Sequence, residues 1–285
     1  MSGIKALQDT ELDRFWQEFA EVMGGPDGLM TYRYLGTHAH AIDRHHATGT
    51  MRLRSDLRGP LGPLAAPLLI LVADTVGILD DAIAVPAPVH FDLAILDDGA
   101  GVDEVLCIGE MFHEGRTQLF SSARIVDAAD HGRVLAVARD SGVVMAQAPE
   151  GYHYVDPGPG VDDSPSLPPL WQAFGARRRP DGGLEIPELT GRIGSTSGSL
   201  HHGPSQVVLE AAATEAAGEA AGTDRLRIRH WYIAFVARGR TGPFVTSTEV
   251  VAQQGSSVAV DAALHDLGQD RIIASATAIF ERGRA

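Results

Sequence analysis

The chain has 285 residues, 44% of them hydrophobic and 21% charged, enough apolar material for a sizeable core in one large or two ordinary domains. Its formal net charge of −14 opposes general binding to nucleic acid or to an anionic membrane, so an anionic ligand would need a local basic patch. Cys107 is the single cysteine, which excludes an internal disulfide and a thiolate metal cluster.

The first residues, MSGIKALQDTELDRFW, lack the apolar core of a signal peptide, and the longest apolar run is too short to span a bilayer. The expectation is a soluble cytoplasmic protein with no membrane span and no nucleic-acid partner. Thr10 to Met23 has helical spacing, with Leu12, Phe15, Phe19, Val22 and Met23 on one face, and reads as a packing helix ended by Gly24, Gly25 and Pro26. Thr37 to His46 holds His38, His40, His45 and His46 with Asp43, but in no ligand spacing, so a solvated loop is expected and no metal. Thr48 to Arg54 reads as a strand, and Leu57 to Ala66, with Gly59, Pro60, Gly62 and Pro63, as a turn.

Pro67 then opens the run PLLILVADTVGILD, which reads as a helix. Asp74 and Thr75 interrupt its apolar residues. A carboxylate buried in such a run must be paired, protonated or in use. Strands are expected at His90–Leu96, Val105–Phe112, Gln118–Asp127 and Val134–Ala148, with a turn at His131-Gly132. Glu150 to Gly183 is rich in proline and glycine and reads as a linker with a short helix at Leu170–Phe174; Arg177, Arg178 and Arg179 are expected to be solvated there.

The second half repeats the first. Gly203 to Gly222 is a helix aligned with the one at Pro67, with Pro204 at the equivalent place. Strands follow at Arg225–Val236, Val245–Gln253, Ser257–His265 and Arg271–Phe280, with a turn at Asp266–Gln269. Arg225, Arg227 and Arg229 point one way and Leu226 and Ile228 the other. Gly115-Arg116-Thr117 before Phe120 recurs as Gly239-Arg240-Thr241 before Phe244, which supports a duplicated α+β unit.

A long helix on an antiparallel sheet, twice over, resembles a tandem hotdog fold. Hotdog thioesterases of the phenylacetate-pathway type carry His-Gly-Gly at the helix start and an acid nine residues after the His. Ala73-Asp74-Thr75 resembles the acid segment and His202-Gly203 the helix start, with Pro204 in place of the second glycine. The expected class is α+β, two tandem hotdog domains, each a long central helix wrapped by an antiparallel β-sheet: a helical segment at 1–34, hotdog units at 35–150 and 185–285, and a linker at 151–184. Nine residues before Asp74 stands Ala65, and nine after His202 stands Ala211, so each half lacks what the other keeps. Glu210 is adjacent, but one residue turns a side chain by about 100° around a helix.

In the family, the acid of one unit faces the helix start of the other. The resemblance therefore implies one composite site, with Asp74 as base or nucleophile and the Gly203 amide as oxyanion donor, where a helix N-terminus offers free N–H groups. Burial would raise the basicity of Asp74. For His202 the resemblance leaves two roles, one through its side chain and one only through its place at the helix start. Thr75, Ser205 and Gln206 are candidate substrate contacts or caps, and Arg116 and Arg240 candidate coenzyme A contacts or turn residues. The implied activity is acyl-CoA thioester hydrolysis with no cofactor beyond the coenzyme A of the substrate. A hotdog hydratase or dehydratase, or a non-catalytic acyl-thioester-binding protein, is the alternative. Relatives that pair further leave room for a homo-oligomer of double-hotdog chains.

Overall fold

A computed structural model of the chain describes residues 17, 21–22, 29–81, 84–147 and 154–283. Of the helix expected at Thr10–Met23, only positions 17, 21 and 22 are described. Four helices are described with bounds: α1 (Met30–Leu35), α2 (Ala65–Asp81), α3 (Leu170–Ala173) and α4 (His202–Ala221). Twelve of the fourteen strands join one antiparallel sheet.

Ahead of α2 lie β1 (His38–Ala41) and β2 (His46–Arg52), then a small hairpin of β3 (Arg58–Gly59) and β4 (Gly62–Pro63). After α2 come β5 (Ala84–Ile95), β6 (Glu104–Glu114), β7 (Gln118–Asp127) and β8 (Val134–Gln147). The connecting stretch contributes β9 (Arg177–Arg178), and β10 (Leu184–Ile186) precedes α4. Four strands follow α4: β11 (Leu226–Phe235), β12 (Phe244–Gln254), β13 (Ser257–Asp266) and β14 (Arg271–Arg282).

The strand order is β1-β2-β6-β7-β8-β5-β11-β14-β13-β12-β10-β9. The two halves thus mirror one another about the β5–β11 seam: each helix is followed by four strands, and the first of the four lies at the centre. The helices lie on the same side of this sheet, α2 over β1, β2, β5 and β6, and α4 over β11–β14, and they touch each other. Strand burial alternates with the pleat, as in β6 and β13, so every second residue faces the helices.

Glycine sets the approach of α2 to the sheet. A Cβ on Gly49 of β2 would stand 2.1 Å from the Thr75 hydroxyl, and one on Gly109 of β6 3.0 Å from a Val76 methyl. Thr75 therefore faces the sheet, and its hydroxyl bonds back to the Leu71 carbonyl at 2.7 Å. At the far end of α4, Gly222 takes the left-handed conformation at φ 67° that closes a helix.

Several expectations need adjustment. The histidine-rich stretch is not a loop: it forms β1 and the start of β2, and Asp43 closes the turn by accepting from the His45 and His46 amides at 2.8 and 2.9 Å. Among the described residues no cluster of metal-ligating side chains forms. The turn at 57–66 holds the β3–β4 hairpin, and α2 begins at Ala65, two residues before Pro67. The arginines of the connecting stretch are not merely solvated: Arg177 pairs with Glu185 at 2.7 Å, Arg178 with Glu215 at 2.5 Å, and Arg179 with Asp181. Finally, Gly115–Thr117 joins β6 to β7, whereas Gly239–Thr241 lies between β11 and β12. These are different connections in the two halves, so that sequence match is not part of the repeat.

Candidate functional site at the two helix starts

The first amides of a helix have no partner within it and need one from elsewhere. The two long helices find theirs in different ways. At the start of α4, the His201 ring nitrogen Nδ1 accepts from the Gly203 amide at 3.3 Å and lies 3.1 Å from the Thr31 hydroxyl. At the start of α2, the partner comes from the other helix. The Ala65 and Ala66 amides donate to Oε1 and Oε2 of Glu210 on α4, each at 2.7 Å.

Glu210 is 3% exposed. Burial pushes its carboxyl up to about 7, against the pull of the Ala66 and Ala65 amides, which favour the charged form. A polar stripe runs behind it along one face of α4, because residues four apart share a face. Gln206 donates from Nε2 to Nδ1 of His202 at 3.1 Å, and Nε2 of His202 meets the Tyr32 hydroxyl at 2.9 Å. His202 is packed among the rings of Tyr32, Phe91 and Phe235. Burial holds its ring down at about 3, so it is neutral near pH 7. With Nδ1 accepting from Gln206, the proton sits on Nε2. The Gln206 carbonyl oxygen Oε1 is buried and has no hydrogen-bond partner among the described residues.

Asp74 is also buried, at 5% exposure, but it turns elsewhere. Its Oδ2 accepts from the Tyr154 hydroxyl at 3.0 Å, and that hydroxyl also accepts from the Ala39 amide of β1 at 3.2 Å. Burial pushes the Asp74 carboxyl up to about 6; the Thr37 and Tyr154 hydroxyls and nearby His38 pull the other way. Thr37 Oγ1 stands near enough to favour the charge but makes no hydrogen bond of good geometry. The structure therefore does not bring Asp74 to the Gly203 amide: one is held by Tyr154 and the other by His201.

The other sequence candidates are placed as follows. Ser205 donates its hydroxyl back to the His201 carbonyl at 3.1 Å, within the first turn. Arg240 is exposed, and the Asp266 carboxylate gathers the Arg240, Thr241 and Gly242 amides at 2.8, 3.1 and 2.9 Å. Arg116 is exposed in the β6–β7 turn and makes no ion pair among the described residues.

Glu210 is the residue that sequence reasoning passed over, and a signal for it was present. Counted from His202, the ninth residue is Ala211; counted from His201, it is Glu210. Asp74 is the tenth residue of α2 and Glu210 the ninth of α4. One step on a helix is a turn of about 100°, which separates a side chain directed at the neighbouring helix from one directed at the sheet edge.

No protein-family model matches the sequence, and no curated protein matches it. Solved structures do match its fold. The tesB protein of Mycobacterium avium subsp. paratuberculosis superposes with a TM-score of 0.61 at 14% identity, over 87% of this chain and 96% of that one. An acyl-CoA thioesterase II from Mycobacterium marinum gives 0.57 at 13% identity, over 90% and 98%. A conserved hotdog-fold protein of unknown function from Alicyclobacillus acidocaldarius gives 0.56 at 9%, over 90% and 98%. At these identities the likeness establishes a hotdog fold and nothing finer.

Proposed function

We propose that the chain is a thioester hydrolase acting on an acyl-CoA or related acyl thioester, built of two tandem hotdog units at 35–150 and 185–285. The observation that carries this is the Glu210 carboxylate of one long helix set against the first amides of the other. That is the pairing of acid and helix start which the resemblance implies, with the halves exchanged.

The chemistry follows from the two partners. Hydrolysis needs a base for water and donors for the carbonyl oxygen as it becomes an oxyanion. A carboxyl held near 7 has a base strength suited to neutral pH. The Ala65 and Ala66 amides sit at the positive end of α2 and are the donors beside it. The thiolate leaving group needs little protonation, so one acid and a pair of amides suffice. The fold neighbours named as thioesterases support the substrate class. Arg116 and Arg240, both exposed, remain the candidates for coenzyme A phosphates.

Asp74 offers a second reading, favoured by its raised carboxyl and by the Tyr154 hydroxyl beside it. The two acids are separated by thiol release from a panel of acyl-CoAs. Glu210→Gln is expected to lower kcat/KM by about 10²–10⁴-fold, the usual worth of a general base, and Asp74→Asn by far less. In the wild type, kcat/KM should rise with pH to a plateau above about pH 7, because the base works when ionised. The opposite ranking of the two mutants would move the reaction to Asp74. Saturable acyl-CoA binding without thiol release would make the chain a binding protein, and hydration of an enoyl-CoA would make it a hydratase.

A further inference from the structure

The Glu210 site contains a conflict. The two amides that would bind an oxyanion are both occupied by the carboxylate that would act as base. A carboxylate accepts with both oxygens; a neutral carboxyl accepts with one and donates with the other. Protonation of Glu210 therefore weakens its hold on one of the two amides, provided the new O–H finds an acceptor.

The stripe on α4 supplies one. Gln206 stands one turn before Glu210 on the same helix face, is fully buried, and has an amide oxygen with no partner. Its orientation is fixed from behind: His202 takes the amide nitrogen, and Tyr32 lies at the other ring nitrogen. An oriented, buried and unpartnered acceptor beside a buried acid requires an explanation, because such groups are rare in folded proteins.

We propose that Gln206 is a positioning residue whose amide oxygen receives the hydrogen of protonated Glu210 and so returns one α2 amide to the developing oxyanion. The inference rests on the hydrolase reading of Glu210. Water gives a proton to one Glu210 oxygen as its own oxygen bonds to the thioester carbon, and the carbonyl oxygen takes the negative charge. The Glu210 O–H then turns to Gln206 Oε1, and the released amide N–H of Ala65 or Ala66 binds the oxyanion. Collapse reforms the carbonyl, breaks the C–S bond and sends the Glu210 proton to the departing sulfur. Base and oxyanion hole thereby use the same amides in succession.

Few other groups can titrate against this site. The strand faces behind α4 bury Trp231 and Ile233 of β11, Phe244 of β12, Val258 and Val260 of β13, and Ala276 and Ala278 of β14; the one buried acid there among the described residues, Asp266 at the end of β13, is held by the Arg240, Thr241 and Gly242 amides. On the helices, the described buried titratable side chains besides Glu210 are Tyr32 of α1, Asp74 and Asp80 of α2, and His202 of α4, with His201 just before it. The shift at Glu210 has burial and the two amides as its causes and no charged neighbour.

The test is a direct titration of Glu210 by infrared spectroscopy, its protonated-carboxyl band assigned by loss in Glu210→Gln. Gln206→Met removes the acceptor at nearly constant size. It is expected to lower the Glu210 midpoint by about one pH unit, a difference worth roughly 1.4 kcal/mol between the two forms, and to move the carboxyl band to higher frequency. The acid limb of kcat/KM should move down with it, with kcat reduced and KM little changed. Should Gln206→Met not fold, Gln206→Asn keeps the amide and withdraws it by one methylene, with the same expected shifts. An unmoved midpoint and band in a folded variant overturn the inference. The titration needs no turnover, so a moved midpoint in a protein that hydrolyses no thioester upholds the Gln206–Glu210 link while the hydrolase reading fails.

Discussion

The two long helices begin alike and end up with opposite duties. Each carries proline at its third residue and a buried acid just under two turns later, at Asp74 in α2 and Glu210 in α4. Glu210 reaches across to the other half and holds its helix start, whereas Asp74 turns to Tyr154. The sheet beneath differs in the same sense. Ser121 and Asp140 stand opposite each other on β7 and β8, whereas on the corresponding strands β13 and β14 the buried facing pairs Val258–Phe280, Val260–Ala278, Ala262–Ala276 and Leu264–Ala274 are all apolar. The second half sets an apolar β13–β14 face against a buried polar stripe on α4, and lends the acid of that stripe to the interface. The first half keeps its polar groups to itself, with Ser121 Oγ and Asp140 Oδ1 buried and unpartnered. Two halves of like strand order can thus differ at one residue's step around a helix, which decides whose acid meets the other helix's first amides.

The largest test of this asymmetry removes each acid in turn. Glu210→Leu leaves two buried amides without a partner, and charge-assisted bonds of that kind are worth about 1.5–3 kcal/mol each. Asp74→Leu removes a desolvated carboxylate and is expected to be near neutral at pH 8. Urea unfolding should therefore rank Glu210→Leu as the less stable by roughly 3 kcal/mol or more. Equal costs would mean that the interface bond does no more than the contact inside the first half.

A second test sharpens the contrast between the sheet faces through pH. Burial alone pushes the Asp140 carboxyl from 3.8 up to about 7. A raised folded value means that the folded state keeps its proton where the unfolded chain has lost it. The stability Asp140 contributes is therefore fully present below about pH 4 and lost as pH rises to about 7. His201 and His202, held neutral by burial, act oppositely as pH falls below 6.5, but they are the same in wild type and mutant. Asp140→Asn should thus gain on the wild type across pH 4 to 7, by on the order of 2–4 kcal/mol at the upper end. A melting-temperature difference that stays flat over this range would show that Asp140 has a partner when ionised.

Much of this fold was legible beforehand, and the reasons are local. Gln118–Asp127 carries Leu119, Phe120, Ile125 and Val126 between two turns, and its strand is found at those limits. The helix at 202–221 ends at a glycine, as helices commonly do. The like order of elements in the two halves was legible, although the Gly-Arg-Thr match falls on unlike loops. The site was less legible because its decisive fact is angular. Ala-Asp-Thr drew attention to Asp74, and the doublet His201-His202 allowed the count to Glu210 to slip by one residue. Nor does the sequence reveal that Tyr154, some eighty residues downstream, supplies the hydroxyl that holds Asp74; such a contact depends on where the connecting stretch is laid down.

The smallest expected effect is at that hydroxyl, and it separates the two acids most directly. Tyr154→Phe removes the donor to Asp74 and the acceptor for the Ala39 amide while leaving the ring in place. The lost bond favoured the charged carboxylate, so the Asp74 carboxyl should move up from about 6. Because the wild-type bond helps most when Asp74 is ionised, the stability cost should be about 1 kcal/mol at pH 8 and less at pH 5, where the carboxyl is largely protonated. Thiol release should change by no more than about threefold, and its acid limb should stay where it was, if Glu210 is the base. An acid limb that moves up together with the Asp74 carboxyl would transfer the chemistry to the first half, and with it the meaning of the whole asymmetry.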